Sequence, residues 1–237
     1  MRIEIAIPTL GRMEKLLKCL GSIDEAKKQI EDRLYVYLYF SSELEYKLID
    51  ESLKHYPYIF TRLIDSYNAA EFWNNHIKEH NADIFYYLND DVLLAPNCLK
   101  NSINTMISKY PDLDGVIGIK QEGFGDIKTM PTAFGAIGSK FIDRFPNRKV
   151  MCEDFKRLYL DEELYLYTSS INKFYLDKTA SLLHCHPCLN KKYEDKTHYD
   201  VRKYLKEDKK SFEERRRLNY LWGKNYNLIN ENFNRRN

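Results

Sequence analysis

Apolar residues in the first half of the chain fall into short runs that alternate with segments of helical spacing. Isoleucines at every second position over residues 3–7 predict a strand that ends at Pro8. Leucines at helical spacing then predict an amphipathic helix over residues 12–30. Residues 34–40 form a continuous apolar and aromatic run, which is typical of a strand buried on both faces of a parallel sheet. These three segments form a first β-α-β unit.

The same alternation continues along the chain. The further predicted elements are a helix at 43–55, a strand at 59–64, a helix at 67–80, a strand at 84–88, a helix at 97–109 and a strand at 115–119. Loops around a short strand at 133–137 are expected next, because turn-forming residues such as Gly125 and Pro131 concentrate in 120–150. The last predicted elements are a helix at 161–171, a strand ending at 181–187 and a polar helical tail. Strands that alternate with helices predict an α/β fold with a mainly parallel sheet.

Composition limits the class of protein. The chain has 237 residues, 43% of them hydrophobic and 30% charged, which suits one domain with a sizeable core. A mean hydropathy of −0.59 predicts no transmembrane segment. The first residues lack the pattern of a signal peptide because Glu4 interrupts their apolar stretch. Five cysteines at irregular spacing argue against a disulfide framework, so we expect a cytoplasmic protein.

Charge is divided unevenly between two parts of the chain. Residues 190–237 hold 14 Lys and Arg against 8 Asp and Glu, a net of +6, whereas residues 1–189 hold 23 against 27, a net of −4. The basic tail is interpreted either as a solvated helix face or as a surface for a phosphate-bearing acceptor or an anionic membrane. The second interpretation would place the protein peripherally at a membrane.

The most informative chemistry follows the apolar strand at 84–88. Asn89, Asp90 and Asp91 come directly after it, and ligands of open α/β sheets bind outside the carboxyl ends of the strands. Two adjacent carboxylates repel each other, a cost that a divalent cation or strong hydrogen bonds would offset. The motif therefore predicts Mg²⁺ or Mn²⁺ held against a diphosphate. The alternative is a helix cap or an Asx turn.

Two segments, IAIPTLGRMEKLLKCLGSI and FYYLNDDVLLAPNCL, together resemble the nucleotide-sugar-dependent glycosyltransferases of the GT-A fold, particularly those similar to family 2. The resemblance implies a Rossmann-like, mainly parallel sheet flanked by helices. It also implies that Asp91 coordinates the metal. The residues it would place beside the nucleotide or the donor sugar are Pro8, Thr9, Arg12, Asn68, Asn89 and Asp90, with Asn74 or Asn75 in the helix before the acidic motif.

Further resemblance lies downstream. YLDEELYLY is similar to the family's Glu-Asp-x-Asp-Leu stretch, which implies that Asp161 is the general base of an inverting enzyme and that Glu163 takes the place of the second acid. An inverting transfer needs a carboxylate that removes the proton from the attacking hydroxyl. The alternative is that this stretch is only the acidic first turn of a helix, which the helix dipole favours.

His184 and His186 end the next strand-like run. Residues i and i+2 of a strand share a face, so both imidazoles can point into one site. In the resembled family a histidine of this region completes the metal shell, and both histidines are therefore candidate metal ligands. The following segment matches the family at Asp195, Thr197 and Tyr199. A zinc site built with Cys185 and Cys188 is disfavoured because the spacing is too cramped, and structural histidines are a second alternative.

The end of the chain resembles the closing helix of such enzymes. We expect Phe212, Leu218, Leu221 and Trp222 to pack on the domain while Arg215, Arg216 and Arg217 stay solvated, with an interfacial membrane helix as the alternative. Two segments depart from the family. Ser41, Ser42 and Glu43 follow the second strand where an Asp usually reads the base, and the acceptor loop is matched only loosely by AFGAIGSKF.

The resulting hypothesis divides the chain into a GT-A catalytic domain at 1–189, with a nucleotide-binding half at 1–118 and an acceptor half at 119–189, and a basic extension at 190–237. It would transfer a sugar from a nucleoside diphosphate, UDP being favoured, to a hydroxyl acceptor with Mn²⁺ or Mg²⁺. A phosphate-bearing glycan, a lipid or modified DNA is compatible as acceptor. The alternatives are a non-catalytic sugar- or nucleic-acid-binding module and a nucleotidyltransferase. Nine glycines make a glycine-rich phosphate loop a poor expectation.

Overall fold

The computed structural model describes residues 1–9, 11–53, 56–64, 68–123 and 133–218. Its strands are β1 (Arg2–Thr9), β2 (Arg33–Phe40), β3 (Ile59–Leu63), β4 (Ile84–Tyr87), β5 (Val92–Leu94), β6 (Val116–Gln121), β7 (Gly135–Gly138) and β8 (Phe174–His184). Its helices are α1 (Met13–Lys27), α2 (Glu43–Leu53), α3 (Ala69–Glu79), α4 (Cys98–Lys109), α5 (Ser139–Ile142), α6 (Leu160–Ser170), α7 (Lys196–Arg202) and α8 (Leu205–Arg217). Short 3-10 turns lie at Pro146–Arg148 and Lys191–Tyr193.

The eight strands form one mixed sheet in the order β3-β2-β1-β4-β7-β6-β8-β5. Strands β3, β2, β1 and β4 run parallel, as do β6 and β8. Strand β7 is antiparallel to both β4 and β6, and β5 is antiparallel to β8. The carboxyl ends of β1 to β4 therefore share one edge, where ligands of such sheets bind. The predicted α/β architecture is confirmed.

Helices cover both faces of this sheet because successive side chains of each strand point to opposite sides. On one face Ile3, Ile5 and Ile7 of β1 pack with apolar residues of α1 and α4. On the other face Ala6 of β1 and Tyr87 of β4 pack with residues of α3, α5, α6 and α8. The continuous apolar runs read from the sequence thus belong to a sheet buried between two helical layers.

The structure differs from the predicted elements at a few points. Val92–Leu94, expected to be loop, forms the short strand β5 and pairs with the end of β8. Strand β8 begins as early as Phe174 and ends at His184 rather than continuing to residue 187. Of the positions discussed from the sequence, Gly125, Pro131, Leu221 and Trp222 lie outside the described residues. Within the described part of the chain, no helix combines the length and apolar character needed to cross a bilayer.

Candidate active site

The acidic motif lies in the turn between β4 and β5, at the carboxyl edge of the sheet. Strand β4 pairs with β1, so the turn that follows it reaches the end of β1, where Thr9 lies. Asp90 is fully buried and Asp91 is 4% exposed, while Asn89 is half-buried. Burying two adjacent carboxyl groups is costly unless cations or hydrogen bonds compensate. The surroundings of the pair therefore decide what this site can bind.

Arg12 supplies the first compensating charge. It lies at the start of α1, and its guanidinium donates 2.7 Å to Asp91 Oδ2 and also bonds to Asp90. Burial opposes the charge on Arg12, but the two carboxylates outweigh burial and raise its pKa. Arg12, which the resemblance placed beside the nucleotide, thus holds both acids of the motif together.

His184 supplies the second partner through the pairing of β5 with β8. In that pairing His184 lies opposite Val92, the residue after Asp91, and the Cys185 N–H donates 2.8 Å to the Asp91 carbonyl. His184 Nε2 is consequently 3.6 Å from Asp91 Oδ1. Its Nδ1 lies 3.2 Å from Gln121 Oε1, which orients the ring. The short strand that sequence periodicity missed is what brings the histidine to the acid.

The two carboxyl groups differ in their affinity for protons. Burial and the charge of Asp91 raise the pKa of Asp90, although Arg12 and the Thr9 hydroxyl act against them. Burial also acts on Asp91, but the imidazole of His184 and the charge of Arg12 outweigh it and hold the pKa of Asp91 well below its usual range. Asp91 therefore ionises more readily than Asp90.

The donor atoms fit a divalent cation. Among the described residues, buried Asp91 Oδ1 has no hydrogen-bond partner, and His184 Nε2 lies 3.6 Å from it. A carboxylate oxygen and an imidazole nitrogen are ligands that Mn²⁺ and similar ions accept. Asp91, the metal ligand implied by the resemblance, and His184, one of its two candidate histidines, therefore have the donor atoms to hold such an ion.

His186 lies further along the same segment, in a different environment. Its ring centre is 5.0 Å from that of His184 and 5.2 Å from that of His198 on α7. Burial, reinforced by the two neighbouring histidines, lowers the pKa of His186 to about 4. The ring is neutral at pH 7 and Nδ1 accepts the Cys188 N–H at 3.2 Å. Of the two candidate histidines, only His184 contacts Asp91 directly in the described residues.

Asp195 anchors the segment after these histidines. It caps the start of α7, and its carboxylate lies 2.8 Å from His198 Nδ1 and 2.5 Å from Lys15 Nζ of α1. Thr197 and Tyr199, matched to the family with it, lie on α7, and Tyr199 is largely exposed. Lys15 thus ties the 190–202 segment to the helix that carries Arg12 at its start.

Asp161 approaches the acidic motif from α6. The helix begins after Tyr159, which adopts a left-handed conformation with φ of 67°. Burial raises the pKa of Asp161, while its own N–H, that of Glu162 and the charge of His184 act in the opposite direction. Asp161 is thus coupled electrostatically to His184.

Glu163 has a different role from Asp161. It is 1% exposed and accepts bonds of 2.9 and 2.5 Å from the guanidinium of Arg215 on α8. The expectation that Arg215 stays solvated is wrong, because this arginine is 4% exposed and also donates 2.8 Å to Asp154. Arg216 and Arg217 are exposed as expected. Phe212 packs into the core, whereas Leu218 is 42% exposed.

The remaining predicted residues lie around this centre with structural contacts of their own. Asn68 caps α3 by accepting the N–H groups of Ala70 and Glu71. Asn74 is buried and exchanges hydrogen bonds with the backbone of Met151, while Asn75 is exposed. Pro8 lies in β1, one residue before Thr9. Of the residues predicted from the sequence, the structure brings Thr9, Arg12, Asp90, Asp91 and His184 together in one cluster.

Arg157 is a candidate that sequence reasoning missed. Its half-buried guanidinium interacts with the charges of Asp90 and Arg12, and burial lowers its pKa. It lies in the segment before α6, where no local pattern separates it from other basic residues. Arg157 thus adds its positive charge to that of Arg12 in the surroundings of Asp90.

Comparison with known proteins relates the fold to solved structures. No protein-family model and no curated protein sequence matches the chain. The mannosyltransferase PcManGT from Pyrobaculum calidifontis, solved with GDP-Man and Mn²⁺, matches with a TM-score of 0.60 and 13% identity over 77% of this chain and 56% of that one. TarS from S. aureus, solved with UDP-GlcNAc, matches with a TM-score of 0.60 and 13% identity over 77% of this chain and 58% of the other.

This chain thus spans a little over half the length of these solved chains. Both matched proteins share with it the sheet flanked by helices that the sequence predicted. The likeness covers more than three quarters of the chain. The chain therefore has the GT-A fold of nucleotide-sugar-dependent glycosyltransferases.

Proposed function

We propose that this protein is a metal-dependent glycosyltransferase that moves a sugar from a nucleoside diphosphate to a hydroxyl acceptor with inversion. The observation that carries the proposal is the pairing of Asp91 Oδ1 with His184 Nε2 at 3.6 Å, because this buried oxygen has no hydrogen-bond partner in the part of the chain that the structure describes. This pair lies at the carboxyl edge of the sheet, where Arg12 bonds to Asp91. Arg157 interacts with the charge of Asp90, and Asp161, a carboxyl group of raised pKa, interacts with the charge of His184.

Each residue of the cluster has a role in this proposal. Asp91 and His184 would hold Mn²⁺ or Mg²⁺, which supplies positive charge that stabilises the departing diphosphate. Arg12 and Arg157 bring further positive charge to the same side of the sheet. Asp161 accepts the proton of the acceptor hydroxyl as that oxygen attacks the sugar, and its raised pKa suits a base.

The nucleotide is assigned to the ends of β1 and β4. Pro8, Thr9 and Asn89 border that edge, and Asn68 lies at the start of α3 beyond the end of β3. UDP is the favoured nucleotide of the donor because TarS was solved with UDP-GlcNAc, although PcManGT was solved with GDP-Man. The acceptor is assigned only as a class of molecule. It carries a hydroxyl group and is a glycan, a lipid or modified DNA.

Binding of nucleotides and metal tests the proposal directly. A thermal-shift panel of UDP, GDP, CDP and dTDP, each with and without Mn²⁺, should show one nucleotide that raises the melting temperature only with the metal. We expect Asp91→Ala to abolish that shift and the turnover of donor while the protein still unfolds cooperatively. Lys18→Ala, a change of an exposed residue on α1, is the matched control and should behave as the wild type.

The outcomes separate the alternatives. Slow metal-dependent release of nucleoside diphosphate from a nucleotide-sugar supports a transferase, whereas binding without release supports a non-catalytic module. Release of pyrophosphate from a nucleoside triphosphate would indicate a nucleotidyltransferase. Full activity of Asp91→Ala would overturn the assignment of the site.

A further inference from the structure

A second cluster of potential metal ligands lies away from the acidic motif. It consists of Glu4 on β1, His76 on α3 and His80, the residue that caps the carboxyl end of α3, and their ligand atoms all lie within 4.8 Å of one another. Glu4 precedes Thr9 by five residues of strand, which at about 3.3 Å per residue separates the cluster from the active site by roughly 16 Å. The cluster therefore belongs to a different part of the fold.

Helical geometry brings the two histidines together. Residues four apart lie on the same face of a helix, and the rings of His76 and His80 stack with their centres 4.4 Å apart. That face of α3 packs on the sheet beside Glu4, which is fully buried. Three groups that bind transition metals thus converge from two elements.

The separations between ligand atoms suit a small ion. Glu4 Oε2 lies 3.1 Å from His76 Nε2, and Glu4 Oε1 lies 3.8 Å from His80 Nδ1. Bonds of about 2.0–2.1 Å in a tetrahedral zinc site place neighbouring ligand atoms roughly 3.3 Å apart. The two observed separations bracket this value, so small side-chain rotations would complete the geometry.

Tyr39 provides the outer contact that metal-binding histidines generally have. Its hydroxyl lies 2.7 Å from His76 Nδ1, which leaves Nε2 directed at Glu4. A ligating histidine usually donates its other N–H to a polar partner that fixes the ring. If His76 Nδ1 donates to Tyr39, the Nε2 lone pair faces a carboxylate, and a cation between them relieves the repulsion.

Arg2 is the natural competitor for this site. Its guanidinium donates 2.6 Å to Glu4 Oε1, and its side chain is 41% exposed. A surface arginine can turn into water when a more strongly bound cation takes its place. His80 is the only one of the three cluster residues with appreciable exposure, at 15% of its side chain, and it marks the direction of entry.

We propose that Glu4, His76 and His80 form a binding site for a transition-metal ion of the zinc type, with water as a fourth ligand. The ion would fasten α3 to β1 and so brace the sheet beneath the proposed active site. The ligand set of two histidines and one carboxylate suits Zn²⁺. This inference does not depend on the proposed glycosyl transfer.

The test uses the full chain carrying Asp91→Asn and His184→Gln, so that the first centre does not contribute. Zn²⁺ is titrated calorimetrically after chelator treatment, and crystals are measured at the zinc edge. We expect one ion between Glu4, His76 and His80, and a loss of at least about 100-fold in affinity with His80→Gln, because even outer-shell changes cost 10–100-fold. His198→Gln is the matched control and should bind as the parent does.

Arg2→Ala tests the same site independently, in case His80→Gln does not fold. Arg2→Ala removes the competing guanidinium and should bind Zn²⁺ more tightly than the parent. Equal zinc affinity in folded His80→Gln and the parent, unchanged affinity in Arg2→Ala, or zinc-edge density elsewhere would each overturn the site. The cluster would then be a hydrogen-bonded network that carries a proton in place of the ion.

Discussion

At the scale of single residues, Asp90 and Asp91 show how adjacent identical side chains acquire different properties. Asp90 has a raised pKa because it is completely buried, whereas His184 and Arg12 keep Asp91 ionised. The sequence predicted an acidic site here, and the resemblance assigned the metal to Asp91. The physical distinction between the two acids arises from a histidine more than 90 positions away, which no local pattern contains.

Asp161 is expected to control the rate and not the binding of donor. Asp161→Asn keeps the shape of the side chain but removes the base, so turnover should fall about 10²–10⁴-fold while nucleotide affinity is unchanged. Steady-state kinetics and calorimetry on the same preparation measure both quantities. A proportional loss of nucleotide affinity would show instead that Asp161 holds the donor.

The raised pKa of Asp161 also fixes the direction of the pH dependence. A base must be unprotonated, so kcat falls as the pH drops through the pKa of this carboxyl group. Burial raises that pKa, and the fall should begin at a higher pH than the ordinary aspartate value of about 3.9 would give. A pH profile of kcat at saturating Mn²⁺ measures it. A profile that stays flat down to the ordinary value would contradict the role of Asp161.

Arg12 is expected to compete with the metal. It pairs with both acids, so Arg12→Gln removes the guanidinium that bonds to both buried carboxyl groups. The variant should have a lower melting temperature in chelator, recover it in Mn²⁺, and bind Mn²⁺ more tightly than the wild type without nucleotide. Arg12→Lys keeps the charge and serves as the control. Weaker Mn²⁺ binding by Arg12→Gln would show that the arginine assists the ion.

At the scale of elements, α8 stabilises the segment that leads into α6. Asp208 on α8 is fully buried and accepts the N–H groups of Lys156, Arg157 and Leu158 at 2.8–2.9 Å. On the same helix Phe212 stacks on Tyr159, the left-handed residue before α6. The tail helix therefore fixes the loop that precedes Asp161.

The ion pair between Glu163 and Arg215 completes this contact and can be tested separately. Arg215→Leu leaves the buried Glu163 carboxylate without its partner and should lower the free energy of unfolding by about 3–5 kcal/mol. Replacing both partners by leucine should recover most of that loss, because no charge is left unpaired. Urea unfolding measures each step, and exposed Arg216→Leu is the control. A double variant as unstable as Arg215→Leu would contradict this account.

Elements with strong periodicity could be predicted from the sequence, and β5 could not. Strands β1, β2 and β4 are apolar runs whose character does not depend on their neighbours. Strand β5 has three residues and exists because β8 pairs with it. Residues 177–181 in the middle of β8 carry mostly polar side chains, and the pairing of β8 with β6 shifts its register there. This part of the strand therefore does not show the alternation of apolar and polar residues by which a strand is predicted.

At the scale of the whole molecule, the division of charge has a structural meaning. The tail carries a net +6 in sequence, yet Asp208 and Arg215 within it are buried and paired with the body of the protein. The interpretation of the tail as a solvated helix face therefore holds for only part of the tail. The predicted boundary at residue 189 divides the acidic part of the chain from the basic part. The hydrophobic core extends across it, because Phe212 belongs to the cluster formed with α3 and α6.

Truncation tests this view of the extension. A chain that ends at residue 189 loses Asp208, Phe212 and Arg215, so we expect it to be strongly destabilised and to lose donor turnover. A chain that ends at residue 218 keeps α8 and should fold cooperatively. Melting temperatures of the two shortened chains against the 237-residue chain measure the difference. Equal stability of the 1–189 chain and the full protein would show that the extension is an independent unit.

The sequence by itself determined the α/β class, the buried parallel strands and the acidic motif at a strand end, because these follow from local hydrophobic periodicity and from chemistry between neighbouring residues. Only the tertiary structure decided which histidine reaches Asp91, that Arg12 bridges both acids, and that Glu163 pairs with Arg215. Those contacts join residues distant in sequence, and their energies depend on burial and on distances between charges. Neither quantity exists until the chain has folded.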